Sequence, residues 1–299
     1  MAASETTCAI QTFFTNLPPY FKLITFLKKY SSLLFSILSG LLLFIAWPDS
    51  VLTPFIFIAF VPLLMLADKV EKKIIFFRYT FLSLLIWNIG TTWWIWNSTA
   101  PGAIGAIVAN SLLMTVPLWG YHTFKYKYGD KAGALSFIVF WLSFEYIHLN
   151  WQLSWPWLTL GNVFATHPGW VQWYEYTGAA GGSLWVLLVN LLVYSVFTQW
   201  KTSAKLQLAA SAFLLVAVPL VISFITHPDE KVMTNAAAPN VVIVQPNIDP
   251  YSEKFDIAST AGQIQKLIDL SEKKIDEVLI KRDERQLSDM LNKCQQILI

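Results

Sequence analysis

FWLSFEYIHLNWQLSWPWLTLGN, residues 140–162, joins an apolar run to an aromatic loop. Its first half closes an apolar run that begins near residue 132, and a bilayer-crossing helix needs roughly 17–25 such residues. Its second half leads into a segment, 150–181, with no Lys or Arg and with Trp151, Trp155, Trp157, Trp170, Trp173, Tyr174 and Tyr176. Amphipathic rings of this kind favour the headgroup level of a membrane. Two readings fit the loop: an aromatic belt resting at the interface, or a wall past which lipid reaches a site at the membrane surface. Glu145 lies inside the span, near its outer end. An ionisable residue in a span is costly and faces protein or a water-filled cavity, which makes it a functional candidate, unless the interface is close enough to solvate it.

Working outward, further apolar runs lie near 33–47, 51–67, 74–96, 102–122, 182–200 and 206–226, giving seven predicted spans with 132–149. The 299 residues are 55% hydrophobic and only 13% charged, more apolar surface than one soluble core hides. The first two runs are short and meet at Ala46-Trp47-Pro48-Asp49-Ser50. A tight helical hairpin or one long kinked helix accounts for them. The hairpin is the better reading, because Pro48 removes a helix donor and Asp49 in hydrocarbon would cost about 2.5–3.5 kcal/mol. Nothing at the start of the chain resembles a cleavable signal peptide.

Basic residues alternate strictly between loops. Lys22, Lys28 and Lys29 precede the first span; Lys69, Lys72, Lys73 and Arg78 follow the second; Lys125, Lys127 and Lys131 follow the fourth; Lys201 and Lys205 follow the sixth. The loops at 48–50, 97–101 and 150–181 contain none. By the positive-inside bias, residues 1–32 form a cytoplasmic segment and residues 230–299 lie on the periplasmic side. The net charge of +2 does not point to a nucleic-acid partner. Cys8 and Cys294 have no metal-ligand spacing around them, and His122, His148, His167 and His227 have no i, i+4 partner, so no metal or cofactor is expected and the histidines read as interfacial polar residues.

After the last span the composition changes. Residues 227–240 read as a polar linker, Val241-Val242-Ile243-Val244 as a short buried strand, and Gln245-Pro246-Asn247-Ile248-Asp249-Pro250 as a loop. Ile264, Leu267, Ile268 and Ile275 then fall at helical spacing. Strand, loop and helix in that order open an α/β domain, predicted over 241–299.

Three stretches together resemble the apolipoprotein N-acyltransferases: LLLFIAWPDSVLTPFIFIAFVPLL at 41–64, FWLSFEYIHLNWQLSWPWLTLGN at 140–162 and VVIVQPNIDPYSEKF at 241–255. The resemblance implies a polytopic α-helical membrane bundle of about seven spans, 33–226, followed by an incomplete nitrilase-like domain of the α-β-β-α type. It implies a multi-pass protein of the bacterial inner membrane with a phospholipid acyl donor and an apolipoprotein acceptor. A cysteine thiolate takes the acyl chain as a thioester, and the α-amine of a diacylglyceryl-cysteine then attacks it. Such chemistry needs an activated thiol, a base and an oxyanion donor, which the family supplies as Cys, Glu and Lys.

Carried over by position, the resemblance gives substrate-binding or supporting candidates only: Glu145, Trp155, Pro156, Trp157, Gly161 and Asn162 in the membrane part, and Gln245, Asn247 and Phe255 beyond it. Phe255 stands about where several members carry a tryptophan. No catalytic residue is assigned. Glu284 is near the position expected for the family's Glu, but Lys281, Arg282, Asp283 and Arg285 around it read as a solvated turn or helix face, and Cys294 comes too soon after it to be the nucleophile. The expectation is therefore an acyltransferase by family whose own chain is inactive. A non-catalytic lipid-binding membrane protein or a transporter is the alternative, although no internal repeat of the transporter kind is seen.

Overall fold

The computed structural model describes residues 19–47, 51–200, 202–226, 243–249, 253 and 256–275, with side chains from Tyr30 onward. Two compact units divide the chain at residues 227 and 228. The first is all helical: α1 (Pro19–Ala46), a 3-10 helix (Thr53–Ile58), α2 (Val61–Lys69), α3 (Lys73–Thr92) continued by a 3-10 turn (Trp93–Asn97), α4 (Ala100–Tyr128), α5 (Asp130–Leu149), three 3-10 turns (Pro156–Leu158, Leu160–Phe164, Pro168–Trp170), α6 (Tyr174–Thr198) and α7 (Ala204–Thr226).

Five helices are long and apolar enough to cross a membrane: Lys73–Asn97, Ala100–Tyr128, Asp130–Leu149, Tyr174–Thr198 and Ala204–Thr226. The apolar part of α1, Tyr30–Ala46, is shorter. Large apolar side chains face outward, among them Ile104, Val116, Leu135, Phe213 and Ile225, each more than half exposed. Small polar residues face inward instead, with Ser36, Ser39, Thr80, Ser83, Ser111 and Ser183 fully buried. That inversion is the pattern of helices packed in lipid, where tails outside are as apolar as any core and small residues let backbones approach. At Gly40 a side chain would press on the Ser83 carbonyl of α3, and Ser36 Oγ donates to Tyr79 O at 2.6 Å across the same seam.

The run 51–67, expected as one span, is two short helices in series. Pro54 and Pro62 each stand in the first turn of a helix, where a missing N–H does no harm. Each therefore starts a new helix rather than continuing the old one. The break sits in the middle of the bundle: Ile56, Ala59, Phe60, Leu64 and Leu66 are buried. Backbone groups freed at a break in such a place need partners. Asn190 of α6 supplies them, accepting from Phe60 N at 2.8 Å and donating to Ile56 O at 2.9 Å, and Ser39 Oγ donates to Ala59 O at 2.5 Å. The segment runs back alongside α1, since Lys69 bonds Ser31 at the start of the apolar part of α1. The connecting residues 48–50 lie outside the described residues.

A second proline is handled the same way. Pro219 inside α7 leaves the carbonyl of Leu215 without its helical donor. The indole of Trp185 donates to it at 2.6 Å and fastens α7 to α6. Aromatic rings fill the space around these junctions: Phe60 against Trp141 at 5.0 Å, Phe57 against Trp185 at 4.7 Å, Phe164 against Trp185 at 5.1 Å.

The second unit, Pro228–Ile299, is described by itself. The strand expected at 241–244 does not form over its described part: 243–249 carries no regular structure or strand pairing, and Ile243 is 90% exposed. A strand needs a partner for its backbone groups, and no strand occurs among the described residues. Asp256 caps a 3-10 turn, Ile257–Ser259, by accepting from Ala258 N at 3.0 Å, and residues 260–275 are helical as expected.

Candidate functional site

The two ends of the bundle differ in chemistry. At one end, which carries every described Lys and Arg of the loops, Lys125 lies 2.7 Å from Asp68 and 2.9 Å from Asp130. Tyr194 accepts from Lys125 at 3.0 Å and donates to Asp68 at 2.7 Å. The last carbonyls of α2 are met as well, Ala67 O by Tyr126 Oη at 2.9 Å and Val70 O by His122 Nε2 at 2.6 Å.

The other end is built on α5 and the aromatic loop. Trp141 and Glu145 are four residues apart and share a helix face, so Trp141 Nε1 donates to Glu145 Oε1 at 2.9 Å. The 3-10 turns fold back over the end of α5, and Leu160 N donates to the same oxygen at 2.8 Å. Glu145 is 7% exposed. Its carboxylate thus holds the loop down.

Gly161 follows at once. Its N–H donates to Ser183 Oγ at 2.9 Å, and its carbonyl accepts from Tyr174 Oη at 2.9 Å. A side chain at Gly161 would overlap the Ala179 carbonyl, and one at Gly182 would overlap Tyr174, so loop and α6 touch backbone to backbone. Gly178, at φ 63°, makes the approach possible by breaking the first turn of α6 from the rest in a conformation that suits glycine. Asn162 is exposed and donates to Pro156 O at 2.8 Å, closing the Ser-Trp-Pro-Trp turn on itself.

Two cavities open beside this clamp. One, of about 310 Å³, is lined by Ala106, Asn110, His148, Ser154, Trp155 and Trp157 among others. Another, of about 340 Å³, lies on the far side of Trp157 against Trp47, Pro156, Asn162 and Val163. Trp157 is half exposed, packs edge-on against Trp94 at 5.2 Å and Trp155 at 5.1 Å, and forms the partition. A third, almost wholly apolar hollow of about 450 Å³ runs between α3 and α4 past Ile89, Trp93, Trp96 and Ile104.

Of the residues singled out from sequence, Glu145, Trp155, Pro156, Trp157, Gly161 and Asn162 thus meet in one place. Glu145, Gly161 and Asn162 shape the loop, whereas Trp155 and Trp157 face open space. Gln245 and Asn247 are exposed residues of the second unit, Asn247 at φ 50°, and Phe255 lies outside the described residues. The expectation for two histidines is corrected. His122 and His148 are 0% and 6% exposed, buried within the bundle rather than at its interface. No cluster that could hold a metal ion occurs among the described residues.

Sequence reading missed a buried polar row. His148 Nε2 lies 2.8 Å from Asn110 Oδ1, Asn110 Nδ2 donates to Asn88 Oδ1 at 2.6 Å, and Asn88 Nδ2 donates to Leu84 O at 2.9 Å. Asn88 and Asn110 inside predicted spans were the available signal, since polar residues at membrane depth are costly and seldom idle.

A bundle with lipid-type packing and five helices long and apolar enough to cross a membrane has the architecture of a multi-pass α-helical membrane protein. Residues 39–192 match the model of the apolipoprotein N-acyltransferase N-terminal domain, just over half of the chain, and the chain belongs to that family. Curated apolipoprotein N-acyltransferases are similar to it: that of Chlorobaculum tepidum is 31% identical over 79% of this chain and 45% of its own length. That of Geobacter metallireducens is 24% identical over 72% of this chain and 43% of its own length. That of Rickettsia prowazekii is 31% identical over 48% of this chain and 28% of its own. The chain therefore spans less than half the length of these relatives. No solved structure matches it.

Proposed function

We propose that residues 33–226 form the membrane part of an enzyme that moves an acyl chain from a phospholipid to the N-terminal diacylglyceryl-cysteine of apolipoproteins. The aromatic end carries this reading: the loop clamped by Glu145 sets Trp155 and Trp157 around open cavities of about 310 and 340 Å³. Apolar walls with a few polar groups are what a lipidic substrate needs at the depth of a reacting ester. In this reading the chain crosses the inner membrane seven times, with α1 and the broken segment 53–69 as the first two crossings. The basic end is cytoplasmic, and the aromatic end and residues 230–299 are periplasmic.

The chemistry itself requires a nucleophile, a base and an oxyanion donor. In this reading Glu284, though near the family's Glu, is not assigned to it, and no Cys or Lys is assigned either, so the chain as given binds lipid without turning it over. The residues after 241 would belong to a nitrilase-like domain, in which Gln245, Asn247 and Phe255 are the substrate-binding or supporting candidates.

A photoactivatable phosphatidylethanolamine with a labelled acyl chain tests the proposal. Crosslinks concentrated at 155–166, reduced by a diacylglyceryl-cysteine peptide, are expected, with neither a thioester on the protein nor a triacylated peptide. Crosslinks spread evenly over the outward faces of the helices would overturn the chamber. A hydroxylamine-sensitive acyl adduct would overturn the inactivity.

A further inference from the structure

The row Leu84–Asn88–Asn110–His148 has a direction. The Leu84 carbonyl can only accept, so Asn88 must turn its amide N–H toward it, at 2.9 Å. Asn88 then offers its oxygen to Asn110, whose Nδ2 donates at 2.6 Å. Both amide nitrogens also face Met114 Sδ, a weak acceptor, at 3.4 and 3.3 Å, which agrees with the same orientation. Asn110 is left to offer its oxygen to His148 Nε2 at 2.8 Å, so Nε2 carries the ring proton. In the neutral ring His148 Nδ1 is then the lone-pair nitrogen. It is buried, without a partner in the structure. The ring is held by stacking on Phe144 at 4.8 Å and is 6% exposed.

A buried acceptor fixed in this way lacks a donor. His148 lines the cavity of about 310 Å³ together with Trp155, whose indole N–H also has no partner. That volume lies at the small end of ligand pockets. It suits a polar head at His148 and Trp155 with the start of a chain against Ala106, Ala109 and Leu113, which line the same cavity. We propose that this cavity is a head-group subsite for an amphiphile whose head donates a hydrogen bond from a hydroxyl or amine, with His148 as the acceptor that selects it.

The proposal rests on the lipid-binding reading of the chamber and adds the chemistry of the head. His122 is the internal control. It is bonded at Nε2 to Val70 O, stacks on Phe76 at 4.4 Å and leaves Nδ1 without a partner, yet it lines none of the cavities described above.

The test uses the 299-residue chain in nanodiscs, with empty discs as blank, and compares 1-decanoylglycerol, its di-O-methyl ether and free glycerol by native mass spectrometry. Decanoylglycerol should bind about 3- to 10-fold tighter than the ether, the size of one neutral hydrogen bond. In His148→Phe that preference should vanish with affinity for the ether unchanged, whereas His122→Phe should retain it. Equal binding of glycerol and ether forms by the wild type, as when water alone serves Nδ1, overturns the proposal. So does an undiminished preference in His148→Phe, or free glycerol binding as well as decanoylglycerol. Should His148→Phe not fold, ¹⁵N-histidine resonances of the wild type decide: the His148 Nδ1 signal should shift with decanoylglycerol and not with the ether, and no difference overturns it. Binding of neither amphiphile, with phospholipid crosslinks still concentrated at 155–166, would remove this subsite and leave the proposed function standing.

Discussion

At the basic end of the bundle the principal polar groups close on one another, while at the aromatic end several are left open. Lys125 has three oxygen partners within 3.0 Å, and the end of α2 is capped by side chains of α4. At the aromatic end, the indole N–H groups of Trp151, Trp155 and Trp173 and the Nδ1 of His148 are buried without partners. The same bundle thus carries an end where Lys125, Asp68, Asp130 and Tyr194 close on one another and an end where, beside the satisfied Glu145, several buried groups have no partner. The difference separates residues by role where chemical type does not. Trp141 and Trp185 each donate a hydrogen bond inside the structure, and Trp155 does not.

The widest test of this contrast is at the joint between the ends. Asn190→Leu strands Phe60 N and leaves Ile56 O with only the long bond from Ala59 N at 3.4 Å, about 1–3 kcal/mol for each buried group lost, and should give the largest loss of thermal stability of any variant named here. An unchanged unfolding temperature in detergent would show that the break in 53–69 finds other partners.

Glu145 comes next. Glu145→Leu leaves two buried donors without an acceptor and frees the loop, whereas Glu145→Gln keeps an acceptor oxygen and should recover most of the stability. Equal loss in both variants would mean that the charge, rather than the hydrogen bonds, holds the loop. Gly161→Ala should cost about 1–3 kcal/mol by forcing the loop off α6, read in the same melts and in a loss of phospholipid crosslinks at 155–166.

Lys125→Met at the basic end should cost about 1 kcal/mol or less, because Asp68 and Asp130 are exposed enough to be solvated once released. Lipid binding should not change. Tryptophan variants separate the two ends by role. Trp141→Phe and Trp185→Phe should each lose about 0.5–1.5 kcal/mol, the net worth of one hydrogen bond. Trp155→Phe should be neutral in stability and weaken amphiphile binding; a stability loss equal to that of Trp141→Phe would place Trp155 among the structural residues.

Much of this was legible in the chain. Apolar run length and the alternation of Lys and Arg give the helices and their two chemically distinct ends, because both depend on composition summed over a segment. The aromatic loop, and Glu145 beside it, stood out for the same reason. Other features were not legible. Residues 51–67 are apolar throughout, and composition does not distinguish one helix from two; the prolines break it only because Asn190, more than a hundred residues on, satisfies the break. The role of Glu145 as a clamp was likewise hidden, since its partners are Trp141 on its own helix and the backbone of Leu160 on a returning loop. His148 looked interfacial because burial is a property of neighbours, and its neighbours Asn110 and Asn88 come from other helices. Hydrophobicity is local and additive, so the sequence determined which segments enter lipid. Hydrogen bonds are pairwise and directional, so only the packed bundle decided which polar groups within it are spent on the fold and which remain free.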